Sequence, residues 1–166
     1  MYGVMRAATH LLIAMLIART TIAGQTLLPA QTNTPQYLTV ATSTSAPTVA
    51  PGAKVSLFID VAPKPGIHVY APGAKDYLPI AVTIKPLAGA SFARTRYPKS
   101  DTIIFEKQPV PVFQKPFRLV QEATIAPTAK AGTTITLTGV VDYQACDAAI
   151  CFKPAAIPVE WTFTVR

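Results

Sequence analysis

Two cysteines, Cys146 and Cys151, lie close together in the run Tyr143-Gln144-Ala145-Cys146-Asp147-Ala148-Ala149-Ile150-Cys151-Phe152-Lys153-Pro154. A disulfide needs Cα atoms roughly 4.4–6.8 Å apart, whereas the intervening steps of extended strand would cover about 16 Å. The pair can close only if Asp147 to Ile150 reverse the chain, which places it at the tip of a hairpin-like connection. Three chemistries are open to such a pair. A structural disulfide closing so short a loop stabilises by only ~2 kcal/mol. Structural zinc needs four ligands, and the cysteines supply two. Of the two histidines, His10 belongs to a leader described below and only His68 remains, so no metal is expected. The third is a dithiol that cycles, because a pair at an exposed loop tip is within reach of a partner thiolate. Lys153 follows Cys151 by two positions, where its charge would favour a thiolate. Asp147 adjoins Cys146 and would disfavour one. On that count Cys151 is the better candidate for exchange.

These residues must be positioned by strands. The 166 residues hold 16 prolines against 8 glycines. A proline inside a helix costs roughly 3 kcal/mol, so a helical bundle is excluded. Beyond residue 29 the longest proline-free stretch runs from Thr128 to Lys153, and it reads as strand. Lys54 to Val61 alternates, with Val55, Leu57, Ile59 and Val61 on one face. Pro79 to Lys85 turns Ile80, Val82 and Ile84 inward. Thr133 to Val141 does so with Ile135, Leu137, Gly139 and Val141, and Ile157 to Val165 with every second residue from Ile157. Weaker strand signals cover Tyr37–Thr42, Ile67–Tyr70, Ser91–Thr95, Thr102–Phe105, Val110–Phe113 and Phe117–Glu122. Pro51-Gly52, Pro65-Gly66, Pro72-Gly73 and Ala131-Gly132 mark turns between them. Short strands spaced by such turns predict an all-β, immunoglobulin-like antiparallel β-sandwich, with a small barrel as the alternative.

The N-terminus is an address. Met1 to Arg6 is a short basic segment, Ala7 to Ala18 is mostly apolar, and Thr21-Ile22-Ala23 ends on a small residue. Residues 1–23 read as a secretory signal peptide cleaved near Ala23, too short in its apolar part for a span of ~20 residues. No stable membrane insertion is expected after cleavage. Residues 24–36 read as a flexible tail, and 37–166 as one domain. Cleavage takes Arg6 and Arg19, so 15 Lys+Arg become 13 against 8 Asp+Glu, and the net charge falls from +7 to +5. The remaining basic residues are scattered without interleaved aromatics, which argues against a nucleic-acid partner. Export places the cysteines where disulfides persist.

The Tyr143-Gln144-Ala145-Cys146-Asp147…Cys151-Phe152-Lys153-Pro154 segment resembles the N-terminal periplasmic domain of the thiol:disulfide interchange protein DsbD. Pro65-Gly66-Ile67-His68-Val69-Tyr70-Ala71-Pro72-Gly73 looks like that family's first block, and Tyr97-Pro98 with Phe105 like its middle block. The similarity runs over roughly residues 37–166. It implies an immunoglobulin-like sandwich with the cysteines at one end, exchanging electrons with thioredoxin-like periplasmic proteins. It further implies that Cys146 and Cys151 are the redox pair and that Cys151 forms the mixed disulfide. His68, Tyr70 and Tyr143 fall around the pair, and Phe105 in a loop that caps it. No cofactor is implied. The best-known member spaces its cysteines one residue further apart and has tyrosine at the position of His68, where a histidine could accept a proton or tune the site. Tyr70 reads as a packing residue rather than a proton donor. The full family protein continues into a membrane electron conduit and a thioredoxin-like domain, so a separate membrane conduit is expected as partner. The rival expectation is an immunoglobulin-like binding module whose disulfide is purely structural. A further reading is a Cu(I) site built from Cys146, Cys151 and His68.

Overall fold

The structure is a computed structural model that describes residues 37–105 and 107–166. The signal-peptide and tail expectations for 1–36, and with them the expected boundary between tail and domain at Tyr37, therefore lie outside the described residues. The described chain is all β. The strands are β1 (Leu38–Thr44), β2 (Thr48–Val49), β3 (Lys54–Pro63), β4 (His68–Tyr70), β5 (Ala81–Ile84) and β6 (Ala90–Phe92). They continue with β7 (Asp101–Phe105), β8 (Gln108–Phe113), β9 (Phe117–Ile125), β10 (Thr134–Tyr143), β11 (Ala145–Cys146) and β12 (Ala155–Val165).

Two sheets make the sandwich. One has the order β1-β3-β9-β6 and the other β2-β12-β10-β5. Apart from the short parallel pairing of β2 with β12, every pairing is antiparallel. Numbered along the chain, these are the ABED and CFG sheets of an immunoglobulin domain, with β2 added beside the last strand. The period-two pattern explains the packing. Val55, Leu57, Ile59 and Val61 of β3 and Leu119, Ala123 and Ile125 of β9 are buried against Leu137, Val141, Val159, Trp161, Phe163 and Val165 of the facing sheet. Trp161 carries a polar atom into this core and satisfies it by donating Nε1–H to the Phe58 carbonyl, 3.0 Å away, which ties the sheets together. Gly139 of β10 sits where β5 approaches closely. A Cβ there would lie 2.6 Å from the Thr83 carbonyl oxygen.

The third sheet decides where the chemistry sits. Its order is β11-β4-β8-β7, and each strand comes from a connection between sandwich strands. In the register, Val61 of β3 pairs with Phe117 of β9, Asp142 of β10 with Ala81 of β5, and Tyr143 with Ala155 of β12. The β3–β5, β6–β9 and β10–β12 connections therefore all leave from one end of their sheets. There they hydrogen-bond to one another and build a small platform over that end.

Candidate redox site

The site is made from residues distant in sequence and brought together by register. Cys146 in β11 is the antiparallel partner of His68 in β4, and Ala145 is the partner of Val69. Residues directly opposite share a face, and so do residues two apart on one strand. Cys146, His68 and Tyr70 thus occupy one face of the platform, while Val69 enters the main core. Beyond β8, the β7–β8 hairpin brings Ile103, Ile104 and Phe105 beside them. The result is a cleft of about 270 Å³ lined by these residues and by the loop Asp147 to Cys151.

Cys146 and Cys151 form a disulfide with Cα atoms 4.0 Å apart. The chain reversal that this demands is built locally. The Asp147 amide donates to the Ile150 carbonyl, 3.0 Å, and the Phe152 amide to the Ala145 carbonyl, 2.8 Å. Asp147 Oδ1 accepts the amides of Ala149 and Ile150 at 2.7 and 2.8 Å, an Asx-type turn. These N–H groups hold the Asp147 carboxyl below its ordinary range; slight burial opposes the shift and His68 adds to it. Gln144 Nε2 donates to the Phe152 carbonyl, and the Phe152 ring stacks on Tyr37 with centroids 4.0 Å apart. Both flanks of the loop are thereby fixed to the sandwich.

The two sulfurs are not equivalent. Cys146 is 1% exposed, whereas Cys151 lies at the surface. The Tyr70 hydroxyl is 3.3 Å from Cys146 Sγ and 3.3 Å from Cys151 Sγ. A disulfide sulfur carries no hydrogen, so Tyr70 is the donor to both. Burial pushes the Tyr70 phenol up from its usual value, with Tyr77 adding, so the donor proton stays in place at neutral pH. An aromatic chain holds this ring. Tyr77 stacks on Tyr70 with centroids 4.1 Å apart, Phe105 meets Tyr77 edge-on at 6.3 Å, and His68 meets Tyr70 edge-on at 5.7 Å. Burial lowers the His68 pKa from 6.5, and the Asp147 carboxylate partly offsets that. The rim is apolar, with Ile104 71%, Ile150 58% and Phe105 48% exposed.

Of the residues expected at the site, Cys146, Cys151, His68, Tyr70 and Phe105 come together in the cleft. Tyr143 does not line it. Its parity with Leu137 and Val141 on β10 sends it into the main core, where burial raises its phenol pKa. Lys153 is exposed and also lies outside the cleft lining. Tyr70, expected as a packing residue, also carries its hydroxyl to the sulfurs. Tyr77 was not singled out by the sequence, because it sits in an irregular turn with no strand periodicity. Among the described residues no group of three or more His, Cys, Asp or Glu side chains is placed to hold a metal.

The chain has no match among curated proteins. Among solved structures it is similar to the N-terminal periplasmic domain of ScsB from Proteus mirabilis, at 11% identity and TM-score 0.48, covering 74% of this chain and 44% of that one. The chain thus spans less than half of that relative. It is also similar to the reduced DsbD N-terminal domain of Neisseria meningitidis, at 14% identity and TM-score 0.41, covering 67% and 82%. A third is the complex of the DsbD N-terminal and PilB N-terminal domains from Neisseria meningitidis, at 15% identity and TM-score 0.46, covering 81% and 87%. The sequence model of the N-terminal domain of the thiol:disulfide interchange protein DsbD matches residues 35–160, most of the chain and the whole of the site. The chain belongs to the family of DsbD N-terminal domains.

Proposed function

We propose that this chain is a thiol–disulfide exchange domain that passes reducing equivalents between thioredoxin-like proteins by cycling Cys146 and Cys151 between dithiol and disulfide. The observation that carries the reading is the asymmetry of the sulfurs. A partner thiolate can reach Cys151 at the surface, whereas Cys146 is buried. Exchange requires access to the sulfur attacked and a leaving thiol held nearby, and both conditions are met at this loop tip. In the donor direction the Cys151 thiolate attacks the partner disulfide and Cys146 resolves the mixed disulfide. In the acceptor direction the partner attacks Cys151 and Cys146 leaves.

Family membership supports thioredoxin-like partners and a periplasmic site of action, and the leader-like composition of residues 1–23 supports export with cleavage near Ala23. Because DsbD carries a membrane electron conduit beyond this domain, the source of electrons is a membrane conduit. Among the described residues no helix is long and apolar enough to cross a membrane. The Asx-type turn and the fixed flanks also suit the rival, a binding module with a structural disulfide, but a structural bond gains nothing from placing one of its cysteines at the surface.

The test is mixed-disulfide trapping with a thioredoxin-like partner. The Cys146→Ser variant, which keeps Cys151 and lacks the resolving thiol, accumulates the mixed disulfide. The Cys151→Ser variant does not. Equal trapping by both variants, or by neither, contradicts the assignment.

A further inference from the structure

We propose that Tyr70 is a catalytic hydrogen-bond donor that stabilises the buried Cys146 thiolate as it leaves, a role that rests on the exchange reading above. The argument starts from the cost of that thiolate. When a partner thiolate attacks Cys151 Sγ, a bond forms between the partner sulfur and Cys151. The Sγ–Sγ bond breaks, and Cys146 departs with the electron pair. The charge then sits on a sulfur that is 1% exposed. Burying an unpaired charge is expensive, and burial in apolar surroundings raises a thiol pKa and makes it a poorer leaving group. Cys146 packs in a small apolar cluster with Tyr70, Val110 and Val112, with Ile103 against it, so its surroundings offer a thiolate little solvation.

Tyr70 supplies the compensating group. Its hydroxyl stands 3.3 Å from each sulfur and carries one proton to donate. That proton can follow the charge. It donates to Cys146 when Cys146 leaves and to Cys151 when the reduced domain attacks a partner. No proton need be gained or lost in either step, and the phenol stays neutral throughout. The hydroxyl cannot wander, because the ring is clamped between the face of Tyr77 and the edge of His68. A donor held in place before charge develops is worth more than one that must reorganise. His68 and Asp147 also border the cleft, but the Asp147 carboxylate is already engaged by two amides and would only repel a thiolate.

The test uses Tyr70→Phe, which keeps the ring and its stack on Tyr77 and removes only the hydroxyl. Dithiothreitol is the probe, and reduction is followed by alkylation and mass measurement. A hydrogen bond to a charged group implies a loss of roughly tenfold or more in the reduction rate constant. Tyr97→Phe, which removes a hydroxyl from a ring packed on the main core and outside the cleft lining, leaves the rate unchanged. A second measurement reads the buried thiol itself: in the Cys151→Ala form, adding Tyr70→Phe moves the alkylation of Cys146 to higher pH. An equal rate in Tyr70→Phe, or an alkylation profile of Cys146 that Tyr70→Phe leaves unmoved, overturns the role of Tyr70. A wild-type disulfide that resists dithiothreitol altogether overturns the exchange reading instead.

Discussion

Removing the Phe105 side chain should make the disulfide easier to reduce while barely changing global stability. Phe105 stands at the tip of β7, lines the cleft with both cysteines and touches Tyr77 edge-on. An aromatic edge contact is worth about 0.5–1.5 kcal/mol. The ring is 48% exposed, so its half-burial adds about 1 kcal/mol, taken as half of the 1.5–3 kcal/mol for a fully buried large apolar side chain. Lifting the ring off the cleft therefore costs about 1.5–2.5 kcal/mol, which corresponds to a covered state favoured roughly 10–70-fold. Phe105→Ala abolishes that preference, and the rate constant for reduction by dithiothreitol rises by up to the same factor. The urea midpoint drops by no more than that energy implies, because the sandwich core does not contain Phe105. A rate that is unchanged or slower, with the fold intact, would refute the idea that Phe105 shields the sulfurs. A large loss of stability would instead show that the ring holds the platform together.

Two further predictions concern the scaffold. Burial lowers the His68 pKa in the folded state below 6.5, so the unfolded chain binds the proton more readily. Its contribution to stability is complete above pH 6.5 and is lost as the pH falls from there through the lower folded value; urea midpoints measured across that window slope downward with acid, and His68→Gln removes this part of the slope. Gly139→Ala places a methyl group 2.6 Å from the Thr83 oxygen, and displacing β5 costs about 1–3 kcal/mol, so thermal unfolding moves to lower temperature; an unshifted transition would mean that β5 adjusts freely.

Much of the sandwich could be read before the structure. Strands β3, β10 and β12 are long and half-buried, and for such strands alternation is a direct consequence of packing. The turns at Gly52, Gly66, Gly73 and Gly132 have positive φ, which glycine adopts at little steric cost. The shorter strands β2 and β11 were not anticipated, since two residues cannot display a period. The third sheet was also hidden, because its pairings join residues 68–70, 101–113 and 145–146 and arise only once the sandwich brings three connections to one end. The site was legible in part. The cysteine spacing and the required reversal at Asp147 to Ile150 pointed to the loop tip. What the spacing could not supply was the inequality of the sulfurs, which depends on β4 covering one of them. Sequence proximity alone could not place these side chains. Lys153 is near Cys151 along the chain but lies outside the cleft lining, whereas Asp147 lines the cleft with its carboxylate held by backbone amides. Tyr143 could have been placed from parity alone, because it continues the inward series of Leu137, Gly139 and Val141.

The most direct measurement is the reduction potential of the Cys146–Cys151 pair, from equilibration of the mature protein in glutathione buffers followed by alkylation and mass measurement. A cycling pair gives a midpoint within the range of known exchangers, about −120 to −270 mV. A midpoint more negative than about −300 mV would mark a structural bond and contradict the account.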